Sequence, residues 1–221
     1  MMEKPKLQLA LDIQNVVSAL GAAQKAAEEI DVIEAGTILM LSEGMEAVRI
    51  LKALYPNHLI LSDIRIIKAG GKLAAMAYDA GAHWVTVISD ASRDTIEAVV
   101  SESRKRPGTD VQIEINEGYD EERLNYFLSL GITQMIYHRS SEVVENEEKW
   151  NKETLDELKR LSDMGFRLSI TGGLDLSEIK LFKDIPVYCF IAGRKICNAV
   201  DPLAEAREYQ EEIRRVYHIT E

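Results

Sequence analysis

Short apolar runs rich in β-forming residues alternate with longer amphipathic runs along the whole chain, and this alternation limits the folds open to it. The apolar runs are LQLALDI from Leu7, DVIEAG from Asp31, HLILSDI from His58 and HWVTVISD from His83. They continue with DVQIEIN from Asp110, TQMIYHR from Thr133, RLSITGG from Arg167 and VYCFIAGR from Val187. Several are apolar at successive positions, as parallel strands buried on both faces are. Between them, NVVSALGAAQKAAEEI from Asn15 carries apolar residues at i, i+3 and i+4 spacing. KETLDELKRLSDMG from Lys152 ends on a glycine suited to a helix C-cap, and a last helix is predicted from about Pro202 to about Tyr217. About eight such units share the chain at roughly 28 residues each, close to the length of a βα unit. Right-handed crossovers then allow an open doubly wound sheet or a closed (β/α)8 barrel. The even repetition, and the lack of a GxGxxG after the first run, favour an α/β chain with one (β/α)8 barrel domain over residues 1–221. The acidic segment SSEVVENEEKWNKE from Ser140 reads as an extended loop after the sixth strand, over the active face.

Composition narrows the partners. The net charge of -11 argues against generic nucleic-acid binding, which needs a cationic face. Anionic substrates then require a locally positive site. Cys189 and Cys197 are the only cysteines, too few for a disulfide framework, and are expected as reduced thiols. The N-terminal residues lack the apolar run of a signal peptide, and no stretch approaches the roughly 18 apolar residues of a membrane span. A cytoplasmic protein without a membrane partner is expected.

In a barrel, chemistry collects at the C-terminal ends of the strands. The first run ends on Asp12, the second on Glu34 with Thr37 beyond, and the third on Asp63. The fifth carries Glu114, and the sixth ends on His138 and Arg139. One acid at such a place is a common helix N-cap. Four together repel one another and call for a cation. Glu34 and Asp63, on neighbouring strands at similar depth, are the expected ligands of a hard divalent ion such as Mg²⁺. Thr171, Gly172 and Gly173 end the seventh run, and Gly193 and Arg194 end the eighth. Glycines there let backbone N–H groups approach an anion, and Arg194 adds a charge-assisted contact, so a phosphate site is expected. His138 is a candidate site residue, whereas His58, His83 and His218 show no partner in the sequence and are read as structural.

With these residues in view, the blocks LALD, DVIEAGTIL, LKALYP, HWVTVI, DVQIE, IYHRS, RLSDMGF, TGGL and FIAGR resemble the 3-keto-L-gulonate 6-phosphate decarboxylases of the orotidine 5′-phosphate decarboxylase suprafamily, almost end to end. The resemblance implies a (β/α)8 barrel and a homodimer with active sites at the subunit interface. It also implies a Mg²⁺-dependent lyase that decarboxylates a phosphorylated β-keto sugar acid to L-xylulose 5-phosphate through an enediolate. Carried over by position, Glu34 and Asp63 resemble the metal ligands, and Asp12, Thr37 and Glu114 other active-site groups. His138 resembles part of the proton-delivery apparatus, and Thr171, Gly172, Gly173, Gly193 and Arg194 resemble the phosphate site.

One stretch departs from the pattern. The suprafamily's D-x-K-x-x-D after strand three reads Asp63-Ile64-Arg65-Ile66-Ile67-Lys68 here, and an arginine two residues beyond the family's "HR" is Ser141. Arg65 replaces a compact ammonium with a planar fork that keeps its proton, and Lys68 replaces an acid in its own site or the partner's. Arg65 still offers electrostatic stabilisation of an enediolate. Altered or reduced activity follows as an expectation. A hexulose 6-phosphate synthase-like aldolase and a non-catalytic phosphosugar-binding barrel are the competing readings.

Overall fold

In a computed structural model of the chain, residues 4–115, 119–138 and 150–219 are described. Eight parallel strands close on themselves in sequence order. They are β1 (Lys6–Leu11), β2 (Val32–Ala35), β3 (Leu59–Ile66), β4 (Trp84–Ile88), β5 (Asp110–Ile115), β6 (Gln134–His138), β7 (Arg167–Thr171) and β8 (Val187–Ala192). Ladder pairing of β1 with β8, through Leu7 opposite Phe190, completes the ring. The expected (β/α)8 barrel is therefore the observed architecture.

The outer layer consists of α1 (Val16–Ala26), α2 (Thr37–Glu43), α3 (Met45–Leu54), α4 (Gly70–Asp79) and α5 (Arg93–Arg104). It continues with α6 (Glu121–Ser129), α7 (Lys152–Asp163), α8 (Arg194–Cys197) and α9 (Pro202–Val216). Their starts follow local chemistry. Asn15 caps α1 by accepting from Ser18 N–H, and Asp120 and Asn151 do the same for α6 and α7. Gly165, with φ 106°, follows α7 as its spacing foretold. Buried apolar residues from both layers, such as Leu9, Ile33, Val85, Phe127, Leu161 and Phe190, form one continuous core between sheet and helices.

The lower end of the barrel is closed by its own side chains. The Tyr188 ring lies between Lys6 Nζ, 4.6 Å from its centroid, and the Arg167 guanidinium at 4.7 Å. Arg167 also pairs with Asp110 at 2.8 Å, and Gln134 donates to the same carboxylate. Above them Gln112 donates to Gln134 at 2.7 Å. This plug leaves the opposite, C-terminal end of the strands as the accessible one.

The third strand differs from expectation. It continues to Ile66, and its register against β4 slips between Ser62 and Ile66. Within the slip Arg65 takes φ 43°, a left-handed backbone that is rare outside glycine and asparagine. Its N–H is held by Thr86 Oγ1 at 2.9 Å. The irregularity turns the chain over the barrel mouth just where the arginine stands. His58 and His83 do find partners: His58 Nε2 meets the Ala27 carbonyl at 2.9 Å, and His83 Nδ1 accepts from Ile60 N–H at 2.9 Å. Both are structural. Cys189 and Cys197 are free thiols.

Candidate active site

The barrel mouth holds one pocket lined by Ala10, Asp12, Glu34, Asp63, Arg65, Glu114, Ile136, His138, Thr171 and Ile191. Parallel strands deliver these side chains because alternate residues face the barrel axis and the strand ends converge there. Glu34 pairs across the ladder with Leu61, so Asp63 lies two residues farther along its strand than simple neighbour pairing implies. The barrel stagger still brings the two acids within electrostatic reach of each other.

Asp63 is buried, and both its oxygens are engaged. Thr86 donates to Oδ1 at 2.7 Å, and the Thr37 hydroxyl donates to Oδ2. Arg65 Nε lies 3.5 Å from Oδ2. Burial raises the Asp63 pKa, while the two hydroxyls and Arg65 oppose the rise. Glu34 is pushed well above the ordinary glutamate range, first by burial and then by repulsion from Asp63 and Asp12. Gln8 Nε2, donating to Glu34 Oε2 at 2.5 Å, works against that rise.

Arg65 Nε also stands 3.3 Å from Glu114 Oε2. Burial favours loss of its proton, but Asp63, Glu114 and Glu34 more than offset this and raise its pKa further. On the other side Glu114 Oε1 holds His138 Nδ1 at 2.9 Å. The mouth thus contains four carboxylates and one guanidinium, with an imidazole anchored through one nitrogen.

Asp12 is exposed at the end of β1 and receives Ile38 N–H at 3.4 Å, so it faces the first turn of α2. Gly36 makes this approach possible, since a Cβ there would stand 2.5 Å from Asp12 Oδ1. Thr37 is placed against Asp63. Gly172 and Gly173, with φ 110° and 71°, follow β7. Gly193 passes β1 so closely that a Cβ would lie 3.1 Å from the Ala10 carbonyl oxygen. These glycines and exposed Arg194 stand beyond Thr171, outside the pocket lining proper. Lys68 is exposed on the β3–α4 connection and does not line the pocket of its own barrel. Arg139, Ser141 and the acidic loop from Ser140 to Lys149 lie outside the described residues.

Two residues were missed by reading strand ends alone. Gln8 and Thr86 sit within apolar runs, yet each holds a site carboxylate. The signal was there: a single polar residue at an axis-facing position of an otherwise apolar strand.

Among the described residues no group of three or more acidic, histidine or cysteine ligands converges on one point. The donor set nevertheless suits Mg²⁺, which takes one or two carboxylates and fills its octahedron with waters and substrate oxygens. Glu34 and Asp63 are hard oxygen donors, and Glu34 is disfavoured as an anion by its acidic neighbours, a condition that a divalent cation relieves.

The fold and this acid-rich mouth define a (β/α)8 barrel enzyme class with its chemistry at the C-terminal face. More particularly, the chain belongs to the orotidine 5′-phosphate decarboxylase / HUMPS family, whose model matches residues 5–209. It is similar to the 3-keto-L-gulonate-6-phosphate decarboxylase UlaD of Escherichia fergusonii, 42% identical over 216 residues that cover 98% of this chain and 100% of that protein. The crystal structure of KGPDC from Streptococcus mutans in complex with D-R5P superposes with a TM-score of 0.94 at 37% identity, covering 97% of this chain and 100% of that one. A 3-hexulose-6-phosphate synthase from Salmonella typhimurium shares the fold at a TM-score of 0.83, with 25% identity over 96% of this chain and 100% of that one. Identity is thus higher on the decarboxylase side.

Proposed function

We propose that this chain is a Mg²⁺-dependent carboxy-lyase that converts 3-keto-L-gulonate 6-phosphate to L-xylulose 5-phosphate and carbon dioxide through an enediolate. The observation that carries this reading is the mouth itself. It joins a buried acidic pair, a guanidinium beside it and a carboxylate-anchored histidine, in a chain that matches a decarboxylase of that name over nearly its full length.

Glu34 and Asp63 would hold the metal, with Thr37, Thr86 and Gln8 fixing their oxygens. Bound there, Mg²⁺ supplies Lewis-acid polarisation of substrate oxygens and offsets the acidity of the mouth toward an anionic substrate. Backbone N–H groups of Gly173, Gly193 and Arg194 take the phosphate, with Thr171 and Gly172 shaping the approach. Loss of carbon dioxide breaks a carbon–carbon bond and leaves its electron pair on the enediolate. Arg65, whose guanidinium stands beside Asp63 and Glu114 at the mouth, stabilises that charge electrostatically. Glu114 orients His138 through Nδ1, so that Nε2 faces the task of delivering the proton that completes the product. Ile136 and Ile191 keep the wall apolar where carbon dioxide departs.

The protein is further proposed to be a cytoplasmic homodimer with no nucleic-acid or membrane partner. No helix among the described residues is long and apolar enough to cross a membrane. Exposed Val17, Ile38, Leu41 and Ile67, which follow the ends of β1, β2 and β3, offer an apolar surface for the second copy.

The test is turnover of 3-keto-L-gulonate 6-phosphate, with Mg²⁺ and again after chelation. Carbon dioxide release that stops on chelation is expected. Condensation of formaldehyde with ribulose 5-phosphate in its place would mark an aldolase, and binding without either reaction a phosphosugar-binding barrel.

A further inference from the structure

Arg65 stands where a metal-binding carboxylate already has a cation. Its Nε is 3.5 Å from Asp63 Oδ2 and 3.3 Å from Glu114 Oε2, so one guanidinium spans two of the acids at the mouth. The placement is held by the backbone. Arg65 has φ 43°, and its N–H is fixed by Thr86 Oγ1, the same hydroxyl that donates to Asp63 Oδ1. One threonine hydroxyl therefore ties the Arg65 backbone to the Asp63 carboxylate. The Glu34 carboxylate, by contrast, accepts from the neutral amide of Gln8.

We propose that Arg65 is a resident counter-ion that sets the affinity of this site for a divalent metal. It holds Asp63 in a paired state until an anionic ligand draws the guanidinium away. The inference rests on the reading of Glu34 and Asp63 as the metal ligands. A fixed positive charge within a few ångströms repels a second cation, and the effect is strong where water is partly excluded. The metal must also displace an existing ion pair to reach Asp63. A sugar acid phosphate removes both obstacles, because its carboxylate gives the planar fork of Arg65 another partner. Metal and substrate are then taken up together, and the metal alone binds weakly.

The experiment measures Mn²⁺ binding by electron paramagnetic resonance or calorimetry, with no sugar phosphate present, to the native chain, Arg65→Met and Arg65→Lys. Methionine keeps an unbranched side chain and removes the charge. Arg65→Met is expected to bind Mn²⁺ at least about tenfold tighter than the native chain. Arg65→Lys, which keeps the charge, is expected to stay nearer the native affinity than Arg65→Met does. Equal, measurable affinity in native and Arg65→Met overturns the inference and leaves the metal site standing. Tight binding by Arg65→Lys to the level of Arg65→Met overturns the charge argument. Absence of Mn²⁺ binding in all three overturns the metal-ligand reading and this inference with it. If Arg65→Met unfolds without metal, recovery of its cooperative melt at low Mn²⁺ is the same linkage read as stability, and failure to recover counts against the proposal.

Discussion

Glu34 stands in an environment that disfavours its charge and so shapes what the site can hold. It is buried between Asp63, Asp12 and Glu114, with one amide donor in compensation. Its pKa in the folded chain lies well above the ordinary 4.5, so the folded state holds a proton that the unfolded state has already released. The sign follows from linkage. Stability is fullest below the ordinary glutamate value and is lost as pH rises through the raised folded value. Asp63, raised above its ordinary 3.8, adds in the same direction. Metal-free protein is therefore expected to melt lower at neutral pH than at mildly acidic pH. Glu34→Gln keeps an acceptor for Gln8 and removes the charge. It is expected to raise the melting temperature of the metal-free chain at neutral pH by about 2–4 °C, the shift that ~1 kcal/mol brings in a chain of this size. The variant should also lose much of the pH slope. Calorimetric scans of both proteins across this range, in chelator, check the result. An undiminished slope in Glu34→Gln would place the titrating group elsewhere.

At the scale of elements, α4 shows how closely the outer layer follows the catalytic strand. After Asp63 and Arg65 the chain turns through Ala69, at φ 56°, into α4, whose first residue is Gly70. A Cβ on Gly70 would stand inside the van der Waals distance of the Thr95 carbonyl oxygen in α5. Backbone cannot yield cheaply, so Gly70→Ala is expected to cost about 1–3 kcal/mol by urea unfolding and to move the β3–α4 turn that follows Arg65. Gly71→Ala, whose Cβ would only reach ordinary contact with Ala98, serves as the control and is expected to be near neutral. The eight strands were legible because buried parallel strands leave near-continuous apolar runs, and the acids at their ends stood out against those runs. Gln8 and Thr86 were hidden inside the same runs, where one polar residue breaks the pattern too little to be noticed. The stagger that sets Asp63 beside Glu34 depends on closure of the whole ring. The left-handed turn at Arg65 has no glycine to announce it, so the contact of Arg65 with Glu114 had no signature in the chain.

For the whole molecule the unsettled surface lies beside the mouth. Val17 is 77% exposed and Leu41 81% exposed, although both belong to helices with buried faces. Their helices are tied together, since Val16 N–H donates to Glu43 Oε1 at 3.0 Å. Ile38, in the first turn of α2, and Ile67, on the β3–α4 connection beside Lys68, extend the apolar surface along the same end of the barrel. Scattered exposed leucines need no explanation, but exposed apolar residues on the segments that follow β1, β2 and β3 are where the proposed second copy would sit. A two-fold dimer uses one patch twice, and stable interfaces bury about 800 Å² from each partner. Lys68, next to Ile67 and outside its own pocket, would lie in such an interface, where a role at the partner's mouth is open to test. The native chain is therefore expected to sediment at twice its 24.8 kDa mass. Leu41→Glu, which sets a charge into the apolar contact without touching the core, is expected to shift it to monomer at micromolar concentration while leaving its circular dichroism unchanged. Decarboxylation should fall with the loss of dimer, and Lys68→Ala in the dimer should reproduce part of that fall. If Leu41→Glu stays dimeric, the interface lies on another face. If it becomes a fully active monomer, the site is complete within one barrel and Lys68 plays no part in catalysis.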